Sequence, residues 1–563
     1  MGMAVAEYAN FMASNRAKVM SYRLIRGVGT ASLGLACVLG AFAQETDSAA
    51  VLLDVKRFEI VGQNPLSAGE TEKLLAPHLG AKSDLRGLEA ASAALEQELR
   101  DQGYAFYRVI IPAQKPVDGV VRLQILSFPL GKVAVTGNQH FSNESILRAL
   151  PELEIGKSPD VAELSRQLTL ANEHPAKRLS LLFKEGASRD TIDADVRTRD
   201  QSPQQFFVNL TAQTSDEYNQ INQNTGYSRL TLGYQRSDLF GLDHALTATY
   251  TTSPEEPSRV KQYGLFYWVP FYGYNTSLTA YYARSDINTG TIGTESLSFA
   301  VNGQGKFWGL KLNYALPKIG ETIQNLSLAV DDKFFHSGVI VDVAVEPIAD
   351  VRSRPLSLRY SARYDKTWGS VGGYVEYSRN LSGGEANDND HYEDSRSSSS
   401  GTARASWHAY HLGFDATYAS ENGWGLSAKA RGQYANKPLI SGELFGLGGV
   451  GSVRGLRDRE FAGDQGVTLS FEAIGPALVD TLRPVVFYDW GEAHLVAPLS
   501  TTLVGDLHQK AASVGIGARW QWRNQLDLSA DLARVVDGVS GSGTTPGTPA
   551  GHTKLNMSLF YRF

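Results

Sequence analysis

From about Gln205 to Phe563, apolar and polar residues alternate in segment after segment. A period of two sustained that long commits the chain to strands with two unlike faces. Leu230, Leu232 and Tyr234 alternate with Arg229, Thr231 and Gln235; Leu426, Ala428 and Ala430 with Ser427, Lys429, Arg431 and Gln433. Val514, Ile516, Ala518, Trp520 and Trp522 alternate with Gly515, Gly517, Arg519, Gln521 and Arg523, and Leu526, Leu528 and Leu532 face away from Asp527, Ser529 and Asp531. Such a pattern also suits a water-soluble sandwich. Three features favour a barrel in a membrane: the polar face carries charges along ten-residue segments, aromatics cluster at segment ends (Tyr267, Trp268, Phe271, Tyr272, Tyr274), and no long apolar helix is available. At ~10 residues a strand, the stretch 203–563 leaves room for about sixteen strands. The predicted fold class is mostly β, a transmembrane antiparallel barrel.

Composition removes several functions. A net charge of -6 gives no reason to expect nucleic acid as a partner. The single cysteine, Cys37, lies in a segment that reads as an export signal, so the mature chain is expected to hold neither a disulfide framework nor a thiolate metal site. In that signal, assigned to 1–43, Arg23 and Arg26 precede an apolar run from Val28 to Phe42, and Ala41-Phe42-Ala43 supplies small residues for cleavage before Gln44. Starts at Met20 or Met12 would bring it closer to the usual length. A lipoprotein reading through Leu35-Ala36-Cys37 is disfavoured by Gly34 and by the apolar run continuing past the cysteine.

Between Val51 and Asp200 the chain repeats with a period of about 75 residues, the signature of two copies of one supersecondary unit. Phe58 to Gln63 and Val133 to Asn138 are short strands closing on a glycine turn. In the first copy Ser67 and Glu70 form a capping box, and a second helix starting at Asp84 carries Leu88, Leu95 and Leu99 before Gly103 stops it. In the second, Ser142 precedes Ile146, Leu147 and Leu150, and Ser158-Pro159 opens a helix with Leu164 and Leu168. Two strands close each copy, Tyr107 to Ile111 with Val120 to Leu126, and Leu179 to Phe183 with Ile192 to Val196. The order βααββ resembles a POTRA domain, assigned to 44–129 and again to 130–202. A three-stranded sheet backed by two helices leaves an edge free to capture an extended polypeptide; the alternative is a pair of spacers.

Sites for chemistry are few. Gly446-Leu447-Gly448-Gly449-Val450-Gly451 matches a dinucleotide fingerprint in letters, but the helix that motif requires does not follow. The eleven histidines show no metal-ligand spacing, Ser452 is not in G-x-S-x-G, and nothing resembles a nucleoside-triphosphate loop. No catalytic residue, metal or cofactor is predicted. The longest polar insertion, Ser382 to Thr402, reads as a mobile, solvated extracellular loop; its Asp388 and Asp390 lack the glycine and terminal glutamate of a calcium loop.

The feature left over is Gly448-Gly449-Val450-Gly451-Ser452-Val453-Arg454-Gly455-Leu456, followed about thirty residues later by Phe487-Tyr488-Asp489-Trp490-Gly491. The stretch 446–466 is long enough to fold back into the barrel, where an arginine requires a carboxylate, and the next strand offers Asp489. Together with the two POTRA-like units and the barrel, Val-Arg-Gly and Phe-x-Asp-x-Gly resemble the two-partner secretion transporters, the hemolysin secretion/activation proteins of the ShlB/FhaC/HecB type. Asn172 and Pro175 also fit that pattern. The resemblance implies an outer-membrane transporter, with POTRA domains in the periplasm, that exports and activates a large secreted partner exoprotein such as a hemolysin or adhesin. It places Val453, Arg454 and Gly455 at the tip of an inward sixth loop and Phe487, Asp489 and Gly491 on the wall as its partner. Tyr561 and Phe563 on the last strand resemble the assembly signal of outer-membrane barrels, which implies outer-membrane lipid, barrel assembly machinery and periplasmic chaperones as further partners. Leu456 departs from the family's aromatic at that place, and only about ten residues stand between Gln44 and the first strand, which leaves little room for the family's plug helix. An insertase for barrel proteins and a passive porin are the alternatives.

Overall fold

The computed structural model describes residues 53–214, 225–286, 290–293, 298–301, 304–336, 350–398, 401–498, 507–523, 525–541 and 546–563. The expected export segment, 1–43, lies outside them. The first unit pairs Arg57–Val61 in parallel with Val120–Ser127, and Tyr107–Ile110 antiparallel on the other side of that central strand. Ser67 caps Ala68–Leu75 through a capping box with Glu70, and Asp84 caps Leu85–Asp101 by accepting from the Gly87 N–H at 2.9 Å. Leu88, Leu95 and Leu99 of the second helix are buried against the sheet. A ribbon of Leu53–Val55 with Gly80–Ser83 adds a feature the sequence pattern did not indicate.

A second unit repeats this order. Leu130–Thr136 runs parallel to Ile192–Asp200, which pairs antiparallel with Lys177–Glu185. Its second helix, Val161–Ala171, is capped by Asp160, not by Ser158: the Asp160 carboxylate accepts from the N–H groups of Ala162 at 2.7 Å and Glu163 at 3.1 Å. Pro159 separates Ser158 from the first turn and holds the chain extended there.

The remainder closes into a barrel of sixteen antiparallel strands, counting Val351–Ser353 and Pro355–Lys366 as one because both pair with Thr322–Phe335 and only Arg354 parts them. Closure joins Thr553–Arg562 to Gln204–Gln213, with Arg562 opposite Phe207, and Phe563 extends the ladder by exchanging two 3.0 Å backbone hydrogen bonds with Phe206. The period-two reading holds: Leu232, Leu358, Leu412, Leu426, Phe471, Ile516 and Met557 stand exposed on the outer face, a belt that a bilayer covers. Short turns gather at the end beside the two small units, and the long connections at the opposite rim.

Two sequence expectations are corrected here. Trp268 and Tyr272 do not stand in an interfacial girdle; they are buried among Phe141, Leu150, Leu170 and Ala176 of the second unit, which docks into the near mouth of the barrel. The 382–402 insertion is solvated only in part over its described residues. Asn389–Ser395 forms a helix capped by Asp388, Tyr392 is fully buried and Arg396 nearly so. The Tyr392 hydroxyl and both terminal nitrogens of Arg396 find partners within the rim, which offsets the desolvation cost that would otherwise keep them in water.

Docking at the near mouth is polar as well as apolar. Lys177 Nζ lies 2.7 Å from Asp243 in the turn after Ser228–Leu239, with neither side chain exposed. The Asp243 carboxylate also accepts from Ser145 Oγ at 2.6 Å and Tyr272 OH at 3.1 Å. Glu173 accepts from Ser277 Oγ at 3.1 Å and Asn313 Nδ2 at 2.8 Å on the inner wall. His174 Nε2 lies 2.6 Å from the Ser237 carbonyl and donates to it, while Nδ1 accepts from the Ala176 N–H at 3.2 Å. This arrangement requires the neutral ring. Burial, helped by the nearby Lys177 cation, pushes the His174 pKa down to about 4. Its unfolded value is ~6.5, so the docked state binds fewer protons and loses stability as pH falls from 6.5 toward 4. Acidification from pH 7 to 5 is expected to weaken docking by about 2 kcal/mol. Faster proteolysis of the exposed 201–204 connection at pH 5, absent in His174→Asn, is the check; equal rates in both proteins would contradict it.

Candidate functional site

Inside the barrel, Phe445–Leu447 and Phe461–Gly463 pair as a short antiparallel ribbon whose tip carries residues 448–460. The ribbon packs against the strands Gln465–Ile474 and Arg483–His494. Val453 and Leu456 are buried together with Leu447, Ala493, Ala511, Val535 and Val539, so the tip is fastened by an apolar patch of its own. Gly455 between them has φ +99°, and a Cβ there would stand 3.0 Å from Val535 Cγ2. Gly491 on the wall allows the ribbon to approach: a Cβ would meet Leu447 Cδ1 at 2.6 Å. Both positions exclude a side chain.

Arg454 points from this tip to the wall. Its Nε donates to Asp489 Oδ2 at 2.7 Å and its Nη2 to Oδ1 at 2.8 Å, a bidentate pair, and its backbone N–H adds a 3.2 Å bond to Oδ2. Arg454 is 4% exposed and Asp489 0%, which makes the pair a buried one. The guanidinium carbon sits 3.5 Å from the centre of the Phe487 ring, a cation–π contact that fixes the plane of the fork. Thus Arg454, Phe487 and Asp489 meet in one place, and Val453, Gly455 and Gly491 shape the approach. Tyr561 and Phe563 lie elsewhere, at the barrel seam, where their rings stack at 5.6 Å.

Four further polar residues complete the site. Arg454 Nη1 donates to Glu472 Oε1 at 2.6 Å and lies 3.4 Å from Asp531 Oδ2. Ser470 Oγ donates to Asp489 Oδ1 at 2.7 Å. Arg519 pairs with Asp531 at 2.6 Å and reaches Glu472 at 3.4 Å. Two arginines therefore face three carboxylates, and the Lys429 cation near Glu472 supplies a third positive charge to balance the array. Asp531 and Arg519 already stood on the polar faces of their strands in the sequence; which loop residue they would meet was not readable there. Leu456, where an aromatic would be expected, fills the apolar patch as an aliphatic, and its carbonyl accepts from Lys554 Nζ at 3.2 Å. Such a site holds a loop.

Residues 196–520 match the family model of the haemolysin secretion/activation protein ShlB/FhaC/HecB, and residues 53–127 that of the ShlB-type POTRA domain. A search of curated protein sequences found no match. Among solved structures, CdiB from Escherichia coli is similar in fold, with 15% identity, 99% of this chain and 97% of that chain covered, and a TM-score of 0.69. CdiB from Acinetobacter baumannii is similar at 15% identity, with 100% and 98% covered and a TM-score of 0.65.

Proposed function

Because the chain belongs to the haemolysin secretion/activation family ShlB/FhaC/HecB, we propose that it exports one large partner polypeptide across the outer membrane by two-partner secretion. The observation that carries this reading is a buried Arg454–Asp489 pair holding an inward loop in the lumen of a barrel with sheet domains docked at its mouth. The ShlB-type POTRA domain, and the second βααββ unit read as another, lie in the periplasm and catch the partner in extended form. Strand addition along a free sheet edge satisfies the backbone of an unfolded chain without reading much of its sequence. The polar lumen conducts that chain with its backbone hydrated, and folding outside makes the movement irreversible. Arg454 with Asp489 positions the loop that occupies the path. The last strand, through Tyr561 and Phe563, is the segment recognised by the barrel assembly machinery during biogenesis.

Deletion of the gene is expected to abolish secretion of one large protein and leave other outer-membrane proteins at normal levels. A general loss of barrel proteins would overturn export in favour of an insertase.

A further inference from the structure

Fully buried charge recurs at the rim opposite the POTRA domain, away from the Arg454 site. Arg396, just after the helix Asn389–Ser395, makes a bidentate pair with Asp464, Nη1 to Oδ1 at 2.7 Å and Nη2 to Oδ2 at 2.8 Å. Their side chains are 1% and 0% exposed. Each partner also grips other segments. Arg396 donates to the carbonyls of Leu439, at 2.7 Å, and Ala497. Asp464 accepts from the N–H groups of Leu439 at 2.6 Å and Val496 at 2.8 Å. Three separate segments of the rim, at Arg396, Leu439 and Val496–Ala497, are thereby tied to one residue at the root of the inward loop, since Asp464 follows Phe461–Gly463 directly and precedes the wall strand Gln465–Ile474. Beneath the pair lies an apolar bed of Tyr392, Trp407, Leu439, Ile440, Leu444 and Leu495.

The two pairs bracket the loop. Gln465 pairs with His494, five residues along the strand from Asp489, which separates root from tip contact by about 17 Å of strand. Asp489 holds the tip, and Arg396 the root. A bidentate pair with four further backbone contacts transmits position well, because its fork admits few geometries.

We propose that Arg396 and Asp464 are positioning residues of an outer latch: they close the cell-surface rim over the lumen and fix the root of the inward loop, and they part when a polypeptide passes. This rests on the export reading, which assigns that rim to the cell surface. The parting has a physical requirement, since the segments joined at Asp464 share one buried apolar cluster with Phe266, Phe307 and Phe335 of the barrel strands.

Two variants test it from opposite directions. In planar bilayers, purified Arg396→Ala is expected to show at least about threefold higher KCl conductance than the unmodified protein, with the barrel still heat-modifiable. Locking the rim uses Gly401 and Ala497: a Cβ built on Gly401 lies 2.9 Å from Ala497 Cβ, close enough for a disulfide after a small adjustment. Gly401→Cys with Ala497→Cys, oxidised, is expected to stop export and to recover it under reductant. Should Arg396→Ala fail to form a heat-modifiable barrel, the cysteine pair alone decides. Undiminished export by the oxidised pair, or unchanged conductance of a folded Arg396→Ala, overturns the latch. A parent strain that exports no polypeptide at all refutes the export reading instead, and the conductance arm then still judges the latch.

Discussion

Arg454→Ala is expected to reduce secretion to a small fraction of the parental level while the barrel remains in the membrane and heat-modifiable in gels. The reason is the asymmetry of buried charge. Removing the guanidinium leaves Asp489, which is wholly buried, without its bidentate partner, and leaves Glu472 and Asp531 with Arg519 and the more distant Lys429 to balance them. Breaking one side of such a pair costs about 3–5 kcal/mol, which lowers the ratio of docked to released loop by a factor of about a hundred or more. The apolar patch of Val453 and Leu456 remains and limits the damage to the loop. Arg454→Lys is expected to fall between the two, since an ammonium cannot supply the fork that meets both Asp489 oxygens nor lie flat on Phe487. Secretion per heat-modifiable barrel is the quantity to measure, and parental secretion by Arg454→Ala would remove the role assigned to the pair.

The second large effect is expected at the near mouth. Lys177→Ala strands Asp243 in a place closed by Ser145 and Tyr272, and the docking of the second unit should weaken by about 3–5 kcal/mol. Protease should then cut the 201–204 connection much faster in membranes that still contain an intact barrel. Replacing both partners, Lys177→Met with Asp243→Asn, should restore much of the resistance, because it is the lone charge and not the loss of attraction that destabilises, and asparagine tolerates the positive φ at this turn and keeps an acceptor for Ser145 and Tyr272. Wild-type resistance in Lys177→Ala would mean that the apolar contacts of Phe141, Trp268 and Tyr272, with the Glu173 and His174 hydrogen bonds, hold the joint without the ion pair.

Alternation made the barrel legible, because each strand has to declare in its own residues which face meets lipid. Leu426 and Ile516 stand outside as their neighbours required. The pairing of Arg454 with Asp489 was legible for a different reason: glycines on both sides of Arg454, and a carboxylate within a strand, leave few conformations in which a charge is satisfied. Period two says inside or outside, however, and not which lumen residue meets which, so Glu472 and Arg519 entered only with the geometry. Arg396 and Asp464 are 68 residues apart and each looks ordinary in its own neighbourhood. Polar composition made 382–402 read as solvated; what reverses this is the mutual satisfaction of polar groups drawn from distant connections. Trp268 and Tyr272 misled for the same reason, since an aromatic at a strand end fits a membrane interface and a docking surface equally well.

The central claim is passage of a single polypeptide through the lumen, and a photo-crosslinker can ask for it directly. Asp415 faces inward opposite Lys429, and its side chain is 47% exposed. With a photoreactive phenylalanine at position 415, irradiation of secreting cells is predicted to trap one large exported protein in register with its secretion. Adducts with newly made barrel proteins, or no adduct while secretion proceeds, would contradict export through this barrel.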